Sequence, residues 1–294
     1  MEQTINDADM PEDRSPTSMM RLTDKEFESI RKMVYDRFGI NLTPAKRSLV
    51  VGRLQKILRS RSIPTFSAYY DMLQKDGSGK LLSEFVNRIS TNYTYFEREK
   101  DHFEFFTKTA LPEAEKRHKA KKELDLRVWC AGCSTGEEAY TLVIRMLDFF
   151  EGEYSRWNAG LLATDISADA LSVAAKGLYS DERVAQLPAA IRNKYFSRRP
   201  DGQWSVVDKV KKEIVFRRFN LMNTQFPFRK PFDVIFCRNV MIYFDSPTRK
   251  ALVSRFCDCL TPGGYLFIGH SESLGRDLRR LEYVMPAVYR RKEG

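Results

Sequence analysis

The sequence predicts a chain of two parts, in which an all-helical N-terminal domain at 21–90 precedes an α/β domain at 123–294. Two observations support this prediction. Apolar residues recur at helical spacing in the first part, whereas short β-rich runs alternate with helical segments in the second. Alternation of that kind is typical of a mostly parallel sheet covered by helices. The length of 294 residues fits one or two domains of ordinary size.

Capping patterns define the first helices. Thr23-x-x-Glu26 matches a capping box, and Gly39 follows the last apolar residue of that stretch. Thr43-Pro44 begins the next helix, because proline is tolerated at a first helical position. The remaining helices are predicted at about 65–75, 80–90 and 99–118, the last within a connecting segment at 91–122.

Five β-rich runs are predicted as strands of the α/β domain: Leu126–Cys130, Leu161–Thr164, Ile214–Phe216, Val234–Cys237 and Tyr265–Gly269. A sixth run, from Tyr283 to Arg290, follows the fifth without a strong helix between them, and we predict one final antiparallel strand there. A turn signal at 199–202 lies between two short β-like pieces, which predicts a small antiparallel β-subdomain at about 192–216.

The composition is that of a globular chain with a basic body. Hydrophobic residues make up 43%, and no apolar run approaches the roughly 20 residues of a membrane span, so we expect no membrane insertion. Residues 1–20 hold five acids and one arginine, which predicts a disordered acidic leader and excludes a signal peptide. The net charge is nevertheless +10, so the rest of the chain favours an acidic partner.

The five cysteines are an odd number and lie mostly in apolar runs, which predicts reduced thiols and a cytoplasmic protein. Cys130-x-x-Cys133 also fits a redox pair or half of a zinc site. The sequence contains no second pair at zinc-finger spacing. We therefore expect no metal and expect both thiols to pack beside the adjacent loop, with the redox alternative left open.

The stretch 128–138 points to a nucleoside-bearing cofactor. It follows a predicted strand and opens a predicted helix, and its small residues let a ligand approach the backbone. Asp165 ends the next strand, where an acid can accept hydrogen bonds from two ribose hydroxyls. The alternative is a strand–helix turn with a purely structural role. The acid at Asp165 counts against this alternative, because it lies where a ribose-binding acid is expected.

The glycine spacing separates candidate cofactors. A dinucleotide site needs G-x-G-x-x-G, whereas this loop offers only Gly132-x-x-x-Gly136, and it contains no phosphate-loop lysine. A ribose-binding acid with loose glycines favours S-adenosylmethionine. The segment 260–266 also looks like the turn into the fifth strand of Rossmann-like methyltransferases. The predicted fold class is therefore α/β, a Rossmann-like class I methyltransferase domain with a small antiparallel β-subdomain, preceded by an all-helical N-terminal domain.

From about Leu22 to its end, the chain resembles the CheR-type chemotaxis receptor methyltransferases, which are protein-glutamate O-methyltransferases. The motifs that support the resemblance are T-N-Y-T-Y-F-E-R at 91–98, C-S-T-G-E-E at 133–138, A-T-D-I at 163–166, F-D-V-I-F-C-R-N-V-M-I-Y-F at 232–244 and G-H-S-E-S at 269–273. The resemblance implies methylation of glutamates on the cytoplasmic domain of chemoreceptors, with S-adenosylhomocysteine as the second product. It implies no nucleic-acid partner, and we expect a monomer.

Carried onto matching positions, the resemblance implies a set of cofactor contacts: Asn92, Thr94, Arg98, Glu138, Asp165, Asn220, Leu221, Arg238 and Asn239. Arg98 and Tyr243 are the candidates for orienting the reacting groups. Ala139 replaces the proline common after the Glu pair. The stretch from Tyr195 to Asn220 is shorter than in family members that bind the C-terminal pentapeptide of a receptor. The sequence therefore leaves open whether this chain binds such a pentapeptide.

A basic run without acids is the candidate docking surface for an acidic receptor helix: Lys46, Arg47, Arg53, Lys56 and Arg59. A merely solvated helix face is the alternative. Rival functions are methylation of nucleic acid or of another acidic protein, nicotinamide oxidoreduction, and a scaffold without activity. The nucleic-acid rival lacks a recognisable binding module and the Asn/Asp-Pro-Pro-Tyr motif of amide methylation.

Overall fold

The computed structural model describes residues 20–77, 79–89, 93–275 and 279–293. The predicted acidic leader falls outside these residues except for its last position, and Asn92 also lies outside them. Within the described part, no helix has the length and apolar character needed to cross a membrane.

The N-terminal region is helical, as predicted. Its helices are α1 (Asp24–Phe38), a 3-10 turn (Pro44–Lys46), α2 (Arg47–Ser60), α3 (Phe66–Lys75) and α4 (Lys80–Ile89). The capping box of α1 is complete, and Gly39 ends the helix at φ 68°, a left-handed conformation that glycine adopts without strain. The apolar faces of these helices share one core, which includes Val34, Leu54 and Phe66.

One long helical segment connects the two parts. It comprises α5 (Lys100–Phe105), a π-helical stretch (Phe106–Ala110) and α6 (Leu111–Ala120). The sequence predicted a single helix here and missed the π stretch. Pro112 explains it, because proline cannot donate to the carbonyl four residues earlier and its ring crowds that carbonyl.

The α/β part contains the remaining elements. In chain order the strands are β1 (Arg127–Ala131), β2 (Gly160–Asp165), β3 (Leu178–Tyr179), β4 (Phe196–Arg198), β5 (Trp204–Val206), β6 (Ile214–Arg218), β7 (Phe232–Cys237), β8 (Leu260–Ile268), β9 (Leu281–Met285) and β10 (Val288–Arg291). The helices are α7 (Glu137–Phe150), α8 (Ala168–Lys176), α9 (Asp181–Ala185), α10 (Ala189–Tyr195), α11 (Asp208–Lys211) and α12 (Ser246–Cys259), with 3-10 turns at Glu151–Arg156 and Met241–Tyr243.

The large sheet has the order β6-β2-β1-β7-β8-β10-β9, and the first five strands in that order run parallel. From β1 the chain proceeds outward to β2 and later returns to β7 on the opposite side. The carboxyl ends of β1 and β7 therefore flank a topological switch point, where open α/β sheets bind their ligands.

Two strand predictions need correction. The run from Tyr283 to Arg290 is a hairpin and not a single strand: β10 pairs with β8 and β9 forms the sheet edge. Pro286, which cannot donate to a strand ladder, and Ala287 at φ 62° make the reversal, so the sequence held a turn signal that the prediction missed. The small antiparallel sheet is β3-β5-β4, and it recruits Leu178–Tyr179 from before the predicted segment. Ile214–Arg218 instead pairs with β2 in the large sheet.

The two parts meet beside the switch point. Ile40 and Phe244 form an isolated antiparallel bridge, and Asn41 N–H donates to the Tyr243 carbonyl at 2.8 Å. Tyr35 Oη donates to Asp245 Oδ2 at 2.8 Å. The helical part thus lies over the carboxyl ends of the central strands and closes one side of the space there.

Candidate functional site

A cavity of about 510 Å³ lies at the carboxyl ends of β1, β2 and β7 under the helical part. It brings together the candidate site residues Thr94, Arg98, Glu138, Asp165, Asn220, Leu221, Arg238, Asn239 and Tyr243, and also Lys46 from the basic run. Residues far apart in the sequence therefore form one lining. A volume of this size is typical of small-molecule sites.

Asp165 forms one end of the site. Its Oδ2 accepts the Ser134 N–H and its Oδ1 accepts the Ser167 N–H, each at 2.8 Å. Burial raises the pKa of this carboxyl, and the backbone hydrogen bonds partly offset that effect. Each carboxylate oxygen has a second lone pair, so the group retains acceptor capacity for a pair of vicinal hydroxyls.

The glycine loop keeps its backbone close to the cavity. Gly132 has φ 90°, and an added Cβ would lie 2.4 Å from Val240 Cγ2. The loop therefore requires glycine for both conformation and space. Cys130 and Cys133 are buried, and burial raises the pKa of both thiols far above the ordinary value. Cys130 Sγ donates to Glu138 Oε1 at 3.2 Å, which matches packing beside the loop.

Arg238 follows β7 and is held by carboxylates on two sides. It pairs with Glu138 at 2.7 Å and with Glu99 at 3.1 Å, while its side chain is only 1% exposed. The guanidinium also donates to the Arg98 carbonyl and lies 5.2 Å from the centre of the Phe103 ring. Glu99 was missed from the sequence, where it is one acid in an ordinary run of charges.

Glu272, in the loop after β8, was also missed. It accepts the N–H groups of Gly269 at 2.6 Å, Asn239 at 3.1 Å and Ile242 at 3.0 Å. Asn239 sits at φ 58°, and its Nδ2 donates to Glu99 Oε1 at 3.3 Å. Burial raises the pKa of Glu272, and the hydrogen bonds from the backbone partly oppose that rise. One carboxylate thus holds the loop that presents both Arg238 and Asn239.

Arg98 differs from Arg238 in its charge balance. It donates to the Tyr93 carbonyl at 3.0 Å and lies 5.9 Å from the Tyr95 ring centre. Within the described ranges, no carboxylate forms an ion pair with Arg98. The side chain is half-buried and lines the cavity, so it offers positive charge to an anionic group there.

Asn220 links the α/β part to the helical part by a hydrogen bond. Its Nδ2 donates to the Arg37 carbonyl at 2.8 Å and its Oδ1 accepts the Met222 N–H at 2.9 Å. Because both ends of this side chain are engaged, it shapes the cavity wall. The helical part adds Phe38 and Ile40 to the lining, which the sequence gave no signal to expect.

The basic run divides into anchored and exposed members. Arg47 pairs with Asp24, and Arg53 donates to the Ile89 carbonyl. Lys56 and Arg59 are exposed farther along α2. Lys46 lines the cavity, so the row begins at the cavity and, at 1.5 Å per helical residue, extends about 15 Å to Lys56.

The switch-point cavity, the glycine loop and the acid at the end of β2 define a Rossmann-like methyltransferase with an added helical domain. Two family models agree: "CheR methyltransferase, all-alpha domain" matches residues 25–90, and "CheR methyltransferase, SAM binding domain" matches residues 92–289. The chain belongs to the CheR methyltransferase family, an enzyme family of S-adenosylmethionine-dependent methylation in chemotaxis. The family resemblance and the fold class predicted from the sequence are confirmed.

Curated relatives cover most of the chain. The chemotaxis protein methyltransferase of Borreliella burgdorferi is 39% identical over 92% of this chain and 96% of its own. The probable chemotaxis protein methyltransferase of Rhizobium etli is 35% identical over 85% and 92%. The chemotaxis protein methyltransferase of Escherichia coli is 34% identical over 93% of each chain.

Proposed function

We propose that this enzyme transfers the methyl group of S-adenosylmethionine to glutamate side chains on the cytoplasmic domain of a chemoreceptor, and that it acts as a monomer in the cytoplasm. The products are glutamate methyl esters and S-adenosylhomocysteine. The observation that supports this best is the row of cations that begins with Lys46 at the cavity and continues along α2. An acidic substrate would meet this surface next to the reacting centre.

The cavity fits the cofactor by its chemistry. Asp165 supplies acceptors suited to the two ribose hydroxyls, and Gly132, which lines the cavity, lets a ligand approach the backbone. Ile166, Phe219 and Leu221 provide apolar wall for a base. Arg98 offers a cation to a carboxylate, either that of the cofactor's amino-acid end or that of the substrate.

The bound cofactor supplies an electrophilic methyl group on a positively charged sulfur. A glutamate side chain has a reference pKa of about 4.3, so it is already an anion at neutral pH and needs no general base. Held by Asp165 and the glycine loop, the cofactor would supply its methyl group to a carboxylate oxygen and keep the electron pair of the broken carbon–sulfur bond. Both reacting charges disappear, so a site with little water favours the step.

The task of the protein is therefore to hold the two reactants in line and exclude water. Arg98 orients a carboxylate, and Tyr243, which lines the cavity where the two parts meet, places a hydroxyl near the reacting atoms. Replacing Tyr243 by Phe keeps the ring and removes only that hydroxyl. An unchanged kcat in this variant would leave Tyr243 a packing role alone.

The function is tested with tritiated S-adenosylmethionine, purified enzyme and the cytoplasmic fragment of a receptor from the same cell. We expect label in the receptor band that mild alkali releases as methanol, because carboxyl esters hydrolyse under those conditions. Alkali-stable label would contradict glutamate esterification. Label transferred instead to RNA or to another acidic protein would favour the alternative substrate class.

A receptor that takes up no label needs a second measurement. S-adenosylhomocysteine binding by calorimetry then separates the two parts of the proposal. Binding without transfer would contradict the choice of receptor, whereas absence of binding would contradict the assignment of the cavity.

A further inference from the structure

Three metal-ligating side chains converge outside the cofactor cavity. Glu99 precedes α5, His102 lies in the first turn of α5, and His270 follows β8. One ligand atom from each lies within 4.8 Å of the others. The two imidazole rings meet edge to face with their centres 4.5 Å apart. Asp101 adds a second carboxylate, with its Oδ2 3.0 Å from His270 Nε2.

The surroundings of His102 are unusual for a buried imidazole. The residue is 0% exposed, with Nε2 3.4 Å from the Pro286 carbonyl oxygen and Nδ1 3.4 Å from Glu99 Oε2. Nδ1 has no hydrogen-bond partner among the described residues. A neutral imidazole carries one ring proton, so it can donate to only one of these two oxygens. If Nε2–H points to Pro286, the lone pair of Nδ1 faces a carboxylate.

A cation between Nδ1 and the carboxylate removes this conflict. In tetrahedral sites zinc lies about 2.0–2.2 Å from nitrogen and oxygen ligands, which places neighbouring ligand atoms about 3.4 Å apart. The separation of His102 Nδ1 from Glu99 Oε2 is 3.4 Å. A histidine that donates its other ring N–H to a backbone carbonyl is the usual arrangement around a bound metal.

The local charge also favours a dication. Glu99, Glu138 and Asp101 place three carboxylates around the guanidinium of Arg238 and the ring of His270. With neutral imidazoles, these groups carry an excess of two negative charges. Asp101 is half-exposed, so water screens its charge; the largely buried excess is that of Glu99 and Glu138 over Arg238, one negative charge that a bound cation compensates.

We propose that Glu99, His102 and His270 bind a divalent transition-metal ion of the zinc class. Two imidazoles and a carboxylate suit Zn²⁺ and Co²⁺ better than Mg²⁺ or Ca²⁺, which prefer oxygen ligands alone. The ion ties the start of α5 to the loop after β8. Because Glu99 also holds Arg238 and Asn239, the ion reinforces the wall of the cofactor cavity from behind.

The site is tested on tag-free, chelator-treated enzyme by calorimetric titration with zinc chloride. We expect one equivalent bound per chain and a rise in Tm when the ion is present. Co²⁺ in place of Zn²⁺ should give the visible absorption of a low-symmetry site. His270 is exposed, so His270→Gln should fold normally yet bind Zn²⁺ at least about 10-fold more weakly.

Two control variants make the result specific. Ser271→Ala alters the exposed neighbour of His270 and should bind Zn²⁺ as the wild type does. Cys259→Ser removes the cysteine that is not fully buried and should also keep the binding. Failure of the wild type to bind one equivalent would overturn the proposal, as would unchanged affinity in His270→Gln. Either result would leave His102 as a buried imidazole that donates to one of the two oxygens.

Discussion

Arg238 Nη1 lies 2.7 Å from Glu138 Oε2, in an ion pair that is almost closed to solvent and forms part of the cofactor cavity. Glu99 contacts the same guanidinium from the other side. The positive charge of Arg238 is therefore already balanced by the protein, whereas Arg98 in the same cavity has no such carboxylate among the described residues. The two arginines of this cavity therefore differ in charge balance, and we propose that Arg238 stabilises the wall while Arg98 binds an anionic ligand group.

The first prediction concerns Arg238. Arg238→Met leaves two partly buried carboxylates without their cation, and we expect it to lower the free energy of unfolding by about 3–5 kcal/mol. Urea denaturation measures the change. Arg280→Met removes an arginine from an exposed pair with Asp258 and should cost less than about 1 kcal/mol. Equal effects of the two substitutions would contradict the assigned role.

The second prediction concerns Asp165. In Asp165→Asn, one oxygen that accepts a hydrogen bond becomes an amide nitrogen that cannot, so a ribose hydroxyl or a loop N–H loses its partner. We expect S-adenosylhomocysteine affinity to fall about 10- to 100-fold, which corresponds to a charged hydrogen bond. Calorimetry measures it, with Asp169→Asn on the exposed face of α8 as the matched control. Unchanged affinity would remove Asp165 from the binding site.

The third prediction separates two roles of Arg98. Arg98→Ala should lower methyl transfer about 10- to 100-fold, because it removes the cation that faces a carboxylate. If that carboxylate belongs to the cofactor, S-adenosylhomocysteine affinity falls in parallel; if it belongs to the substrate, affinity is kept and transfer is lost. Arg199→Ala, in an exposed pair with Asp201, serves as control. Wild-type turnover in Arg98→Ala would eliminate both roles.

The fourth prediction tests the basic row. Lys56→Glu with Arg59→Glu reverses its two exposed members, and we expect receptor methylation at low salt to slow about 10-fold or more while S-adenosylhomocysteine affinity is unchanged. Lys116→Glu with Lys121→Glu makes the same charge change on and just after α6 and should have little effect. If the rate of receptor methylation changes neither with salt nor in the variant that carries Lys56→Glu and Arg59→Glu, this face of α2 is only solvated and does not bind the receptor.

The fifth prediction concerns the thiols. Burial raises the pKa of Cys130, Cys133 and Cys237 well above its usual value and that of Cys259 to about 11. Little thiolate forms at pH 8, so Ellman's reagent should label native enzyme slowly, Cys259 first, and the rate should rise with pH. All five thiols should react at once in denaturant. Rapid labelling of Cys130 or Cys133 in native enzyme would contradict this prediction and support the alternative that the two cysteines form a redox pair.

Much of the fold follows from local sequence. The capping box at Thr23, the glycine that ends α1 and the alternation of strands and helices all depend on residues close together in the chain, so their physics is local. The same holds for the loop at Gly132 and for the acid that ends β2. The hairpin β9–β10 was missed although Pro286 interrupts the β-rich run, because that proline was not taken as the end of a strand.

Only the tertiary structure decided how the site is built. Glu99 gave no sequence signal, and Glu272 lay in the G-H-S-E-S motif without an assigned role, because a carboxylate becomes a structural element only when burial leaves it donors from distant segments. The sequence by itself determined the two-part fold, the position of the cofactor loop and the family. Which arginine is neutralised and which histidines meet depend on contacts between segments at least 100 residues apart. Which cations of α2 are exposed depends on contacts that span 23 and 36 residues, and no local pattern encodes either kind of contact.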